Sequence, residues 1–307
     1  MAADPNAVTP LAERLKAQHG ITGKAFFVSA QTVPPFGGSA GSDNANMGTS
    51  ELLPFATIDY AIGRCLDSRG DAIFVLGMHA ETVTEAITLD VIGVQIIGVP
   101  VGNRKPRISV NGAVDMFTIT AADCRISSLF CTITTTDAAT AIVNVAGARA
   151  KIDHLDIIPS VTSYNVVDVF TLATGADDCL IEYIDIRNTA VPVNSFLNIE
   201  AAVARLTVRK FHAYGTVATG GIIDAAAATD ILIGPDVYVG TIGTNIPAII
   251  ADSNPTGVVN GYTGHGTDAT IANDNNYGNA LRLSNVRGGG STGPAAQATY
   301  LIPALDT

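Results

Sequence analysis

The chain has 307 residues and carries 28 acidic against 17 basic side chains, so its net charge of −11 opposes binding to a phosphate backbone and excludes nucleic acid as an expected partner. Hydrophobic residues make up 47% and charged residues only 15%, so much of the surface is expected to be neutral or covered; the absence of Trp and an aromatic content of 6% weigh against a long sugar-stacking groove. Cys65, Cys124, Cys131 and Cys179 show neither metal-ligand nor disulfide spacing and read as small buried hydrophobes.

The first 22 residues hold a short helix, LAERLKAQH, entered through Thr9-Pro10 and stopped at Gly20. Leu11 and Leu15 give it too little apolar area to stand alone, so residues 1–22 are expected to be an arm that anchors on another protein through Leu11, Arg14 and Leu15. Residues 23–70 read as an entry strand (KAFFVSA), a Gly/Ser/Asn loop and a second helix in PFATIDYAIGRCLDSRGD. Phe55, Ile58, Ala61, Ile62, Cys65 and Leu66 share one face of that helix, which suits it to cap an open sheet end.

Residues 71–262 are dominated by a repeat. MFTIT, IVNVA, VFTLA, FLNIE, IIDAA and IIADS recur with their second residues at Phe117, Val143, Phe170, Leu197, Ile223 and Ile250, spaced by 26 or 27 residues. A second alternating segment follows each of the first five copies, so one repeat holds two or three short strands and no helix. The fold class is therefore all-β, a single-stranded right-handed parallel β-helix with an N-terminal capping helix, each repeat making one coil. Second and fourth positions of each copy should face inward, and the third should form an outward polar column of Thr118, Asn144, Thr171, Asn198 and Asp224.

By the same parity the first position faces outward, yet it reads Met116, Ile142, Val169, Phe196, Ile222 and Ile249. An outward apolar column of that length is expected to be a subunit interface. The alternative is a local bend that turns it into the core. Residues 263–307, rich in Gly, Asn, Thr and Ala, read as an extended tail held against a neighbour.

PFATIDYA, GDAIFVLGMHAE and VQIIG resemble the entry of right-handed parallel β-helix proteins of the pectin-lyase-like and phage tailspike type. The resemblance covers residues 24–135 by motif and is silent on function, because lyases, hydrolases, tailspikes and structural virion proteins share that entry. Enzymes of the family carry carboxylates on neighbouring coils, and aligning HLDII with YIDIR sets Asp156 beside Asp185 and His154 beside Tyr183. Two acids one strand apart could act as a retaining pair, but a solvated ladder balanced by Lys210 is the plainer reading. Tyr164, Tyr183, Tyr214 and Tyr238 are the candidate platforms for a sugar.

These readings combine into an expectation of a homotrimeric bacteriophage capsid decoration protein, bound to the major capsid protein and assembled in the host cytoplasm. No enzymatic activity, cofactor, metal or membrane partner is expected; the N-terminus lacks a secretory signal and no run approaches a membrane span. The alternative is a short tailspike that recognises or cleaves a surface polysaccharide, for which Asp156 and Asp185 are the catalytic candidates.

Overall fold

The computed structural model describes residues 10–134, 138–161, 164–226, 228–242, 249–251, 256–260, 262–266, 281–284 and 287–290. The chain winds as a right-handed parallel β-helix, and each coil contributes strands to three parallel stacks. The first stack runs through Ala25–Val28, Ala72–Leu76, Gln95–Val99, Arg125–Ser127 and Lys151–Asp153, then through Leu180, Thr207 and Leu232. The second runs through Ala80–Val83, Arg107–Val110, Phe130–Ile133 and Asp156–Ile158, then through Asp185, His212 and Tyr238. The third carries the repeated motif: Phe117, Val143, Phe170 and Leu197 are register partners on successive coils, as are Ile119, Val145, Leu172 and Ile199.

All eight of those side chains are buried, as alternation predicts. The first position of the motif is different from its expectation. Met116, Ile142, Val169, Phe196 and Ile222 are 0–1% exposed and belong to the same core, so they are not an outward apolar column. For the first four the cause is a corner at the start of the third stack: Val193 is buried and Asn194 half-buried, then Ser195, Phe196 and Leu197 are all buried before alternation resumes at Asn198. The chain changes direction there, and two consecutive side chains enter the core. Ile222 instead pairs in register with Leu197 and so takes the inward second place, one residue off the expected alignment. The side chain of Ile249 and the tail from 267 to 280 and beyond 290 lie outside the described residues.

Two other corners turn on one left-handed residue per coil. Asp123, Arg149, Asp178, Arg205 and Asp230 have φ between 54° and 61°, and Ser128, His154, Tyr183, Lys210 and Asp236 have φ between 48° and 61°. None is glycine, and each such residue costs about a kcal/mol of backbone strain. Coil-to-coil hydrogen bonds fix the first column, with the N–H groups of Asp123, Arg149, Asp178 and Arg205 donating to the carbonyls of Ala148, Asp177, Ala204 and Thr229. Its side chains alternate in charge, and Arg149 pairs with Asp123 and Arg205 with Asp178.

The capping helix α2 (Ile58–Ile62) closes the N-terminal end, burying Ile58, Ala61 and Ile62 with Phe26, Val28 and Ile73. Thr57 caps it by accepting from the N–H of Tyr60, and Asp43 accepts from the N–H groups of Ala56 and Thr57. The helix stops at Gly63, so Leu66, expected on its apolar face, is 58% exposed.

Helix α1 (Leu11–His19), ended by Gly20 at φ 67°, lies on the outside of the first stack. Leu15 is buried and Leu11 half-buried against Phe27, Phe74, Leu76 and Ile97, which are the outward residues of three successive strands. The helix of the arm therefore has a partner within its own chain, and Leu15, contrary to expectation, is not available to anchor on another protein, while Leu11 is half-buried and Arg14 exposed; residues 1–9 lie outside the described residues. Beyond the helix the same outward positions become charged. Asp153, with no exposed side-chain surface, accepts from Arg125 Nε (2.7 Å) and Nη2 (3.0 Å), while Glu182 accepts from Lys151 (2.9 Å) and Arg209 (2.7 Å).

All four cysteines are buried and unpaired. Burial pushes the thiols of Cys65 and Cys131 up to about 12 and those of Cys124 and Cys179 up to about 11, so none is a thiolate near neutrality.

Candidate functional site

The outer face of the second stack is open where that of the first is covered by a helix or filled by paired charges. Alternation places Leu155 and Ile157 in the core and turns Asp156 and Ile158 outward, and the same phase turns Asp185, Arg187, His212 and Tyr214 outward on the next coils. One outward column reads Arg107, Phe130, Asp156, Asp185, His212, Tyr238. The neighbouring column includes Arg187, Tyr214 and Gly240.

Asp156 and Asp185 are direct register partners, as the aligned segments predict, and sit about 4.8 Å apart along the strand-pairing direction. Their counter-charges are not the expected one. Lys105 Nζ donates to Asp156 Oδ1 and to the carbonyl of His154, both at 2.8 Å, and Arg187 grips Asp185 through Nε (3.1 Å) and Nη2 (2.7 Å). Lys210 instead donates to the Tyr183 hydroxyl, its Nζ 4.1 Å from the ring centroid. His154 stacks on that ring with centroids 4.4 Å apart and planes 11° from parallel. The two carboxylates are about half exposed, so their ion pairs contribute at most about 1 kcal/mol each; what they do is fix the orientation of the acids.

Two depressions meet at Asp156 and Phe130. One of about 270 Å³ is lined by Phe130, Asp156, Ile158, Asp185 and Arg187; the other, of about 450 Å³, adds Arg104, Lys105, Arg107 and Asn103 to Phe130 and Asp156. Arg107 approaches the face of Phe130 at 6.0 Å. The result is a trough with a carboxylate pair at its centre, cations on both flanks and an aromatic floor. Its chemistry suits hydrogen bonding to hydroxyls and carboxylates of an elongated ligand, and the two acids stand on adjacent strands, as paired catalytic carboxylates on neighbouring coils would. Among the described residues no three or more of His, Cys, Asp and Glu are grouped to hold a metal ion, and no helix is long and apolar enough to cross a membrane.

Sequence reasoning found Asp156, Asp185, His154 and Tyr183 but not Lys105, which reaches Asp156 from 51 positions away. The run Arg104-Lys105-Pro106-Arg107 in a chain of net charge −11 was the available signal. A second acidic group, Asp115, Asp168 and Glu200, lies beside the third stack. Burial, then the charges of Asp168 and Asp115, raise the Glu200 carboxyl above its ordinary value.

No family model matches the sequence, and no curated protein is significantly similar to it. Among solved structures, a rhamnogalacturonan lyase superposes with a TM-score of 0.55 at 12% identity, covering 85% of this chain and 73% of that one. A pectin methylesterase mutant in complex with a hexasaccharide covers 89% of this chain and 91% of its own at 14% identity, with a TM-score of 0.44. The first of these likenesses agrees with the right-handed parallel β-helix fold described above. The fold so shared is one used by an enzyme, and the expectation from sequence that this chain has no enzymatic activity is corrected accordingly.

Proposed function

We propose that this protein binds a surface polysaccharide along the outer face of the second stack and cleaves it at Asp156 and Asp185. The observation that carries this reading is the register pairing of the two acids inside a trough flanked by Lys105, Arg107 and Arg187. Arg187 occupies both oxygens of Asp185, whereas Lys105 engages one oxygen of Asp156, which leaves Asp156 the more available to act on a substrate. The similar lyase is named for a polysaccharide, rhamnogalacturonan, which supports a polysaccharide as the substrate class here.

Placement in a phage particle, as a tailspike-like receptor-binding protein, rests on the resemblance of the entry segment. A capsid-decoration role as a homotrimer on the major capsid protein rests on that resemblance alone, because the column that suggested a trimer lies in the core. Copy number in a purified particle separates the two: about a dozen or two per particle marks a tail component, hundreds a head component.

The activity is tested by incubating the purified chain with polygalacturonate, rhamnogalacturonan and bacterial capsule or lipopolysaccharide preparations. Release of oligosaccharide from one of them is expected, with a loss of about a hundredfold or more in Asp156→Asn and in Asp185→Asn while both remain folded. Retention of a polysaccharide without cleavage would reduce the reading to recognition alone, and no retention of any would overturn it.

A further inference from the structure

Two exposed tyrosines lie near the trough, and they differ in what their rings can do. Tyr183 is 41% exposed, but His154 stacks on its ring at 4.4 Å and its hydroxyl accepts a hydrogen bond from the Lys210 ammonium. Tyr214 is 45% exposed, and among the described residues neither another ring nor a cation stacks on it. Its register partners are Arg187 on one side and Gly240 on the other.

Gly240 explains the pose of the ring. A Cβ at that position would lie 2.7 Å from Tyr214 Cδ2 and 2.9 Å from the Tyr238 hydroxyl, so the absence of a side chain lets both tyrosines lean over the strand. Gly240 is itself buried, though it stands in an outward column. Its φ is not in the left-handed region, so no backbone need requires glycine here. The requirement is for space beneath two aromatic rings.

From these observations we infer that Tyr214, supported by Tyr238 over Gly240, is a stacking shelf for one sugar ring of the bound polysaccharide, an aromatic subsite next to the acid pair. The inference rests on the polysaccharide-binding reading above and adds a contact and a direction to it. Tyr214 and Arg187 are adjacent strand partners, about 4.8 Å apart, a step close to the length of one pyranose unit. A sugar on Tyr214 therefore sets the next unit over Arg187 and Asp185 and the one after over Asp156, so the glycan runs along the helix axis, across the strands. The C–H face of a pyranose is apolar and slightly positive, which matches the negative face of a tyrosine ring.

The test uses the full chain and oligosaccharides cut from whichever of the polysaccharides above the wild type retains, with affinity read by calorimetry. Tyr214→Ala is expected to weaken binding about three- to tenfold, and Tyr214→Phe to preserve it. Gly240→Ala, which leaves both rings present but moves them, is expected to reproduce the loss in Tyr214→Ala. Full affinity in Tyr214→Ala and Gly240→Ala, with binding still lost in Asp185→Asn, would overturn the shelf and leave the polysaccharide-binding reading standing. A wild-type chain that retains none of the polysaccharides removes both.

Discussion

The outer faces of the first and second stacks are built from the same alternation, on the same coils, and end in opposite states. On the first, helix α1 seals the early coils, and the later ones fill the outward positions with Arg125, Asp153, Lys151, Glu182 and Arg209, which satisfy one another. On the second, the acids at the equivalent depth, Asp156 and Asp185, are held by single cations and open to solvent on the remaining side. Closed polar networks stabilise a face, whereas a half-open one is available to a ligand. The position of an acid in its ladder, more than its chemistry, decides which it becomes.

The sharpest way to break this contrast is inside the core. Phe196→Ala should cost about 3–5 kcal/mol in urea unfolding, because the side chain has no exposed surface. A subunit-interface residue would instead change the mass by light scattering and leave the midpoint near wild type.

Next in size is Asp153→Ala. It strands Arg125 against a covered face and is expected to cost about 3–5 kcal/mol, whereas Asp156→Ala, about half exposed, should cost under about 1 kcal/mol and be felt in binding. Equal costs for the two would erase the distinction between the faces. Leu15→Ala should fall between them, at about 2–4 kcal/mol, if α1 is part of the fold; no change in the unfolding midpoint would return the arm to the role the sequence suggested for it.

Acid should open the closed face before the core. Burial alone would raise the Asp153 carboxyl, but hydrogen bonds from Arg125, Ser127 and His154 outweigh it and hold the pKa below the ordinary 3.8. Glu182 is likewise held below 4.5, burial being outweighed by its bonds from Lys151 and Arg209. Groups whose pKa is lower in the folded chain stabilise it fully above the unfolded value and lose that contribution as pH falls through the folded one. Stability is therefore expected to decline as pH drops below about 4.5, and more shallowly in Glu182→Gln, measured by urea midpoints across that range. Glu200 has the opposite sign: its raised pKa means the charged form is disfavoured at neutral pH, and Glu200→Gln should slightly raise the midpoint there.

Much of the architecture was legible because a period of 26 or 27 residues is long-range information written locally. The inner columns followed from it, and so did the meeting of Asp156 with Asp185, since aligning repeats is equivalent to stacking coils. Parity failed at Met116, Ile142, Val169 and Phe196 because it assumes a straight strand, and a corner resets the phase without any marker residue in those motifs; at Ile222 the alignment itself slipped by one, since that residue pairs with Leu197. The docking of α1 was hidden for another reason. Its receptor is assembled from Phe27, Phe74, Leu76 and Ile97 on three strands, whose mainly apolar runs show no preferred side when read one at a time. Lys105 and Gly240 belong to the same class: their meaning lies in a neighbour on another coil.

The column of left-handed corners has a bearing on how such a chain keeps count of itself. A solenoid of near-identical turns can mis-stack by skipping one, because every turn offers almost the same hydrophobic welcome as the next. Asp123, Arg149, Asp178, Arg205 and Asp230 alternate in sign, so leaving out any interior coil sets like beside like at a corner, acid on acid or base on base. The ladder behaves as a parity check: an error of one turn is marked by repulsion, and only an error of two passes unmarked. By the same logic, lineages that lengthen or shorten this helix would be expected to add or lose turns in pairs.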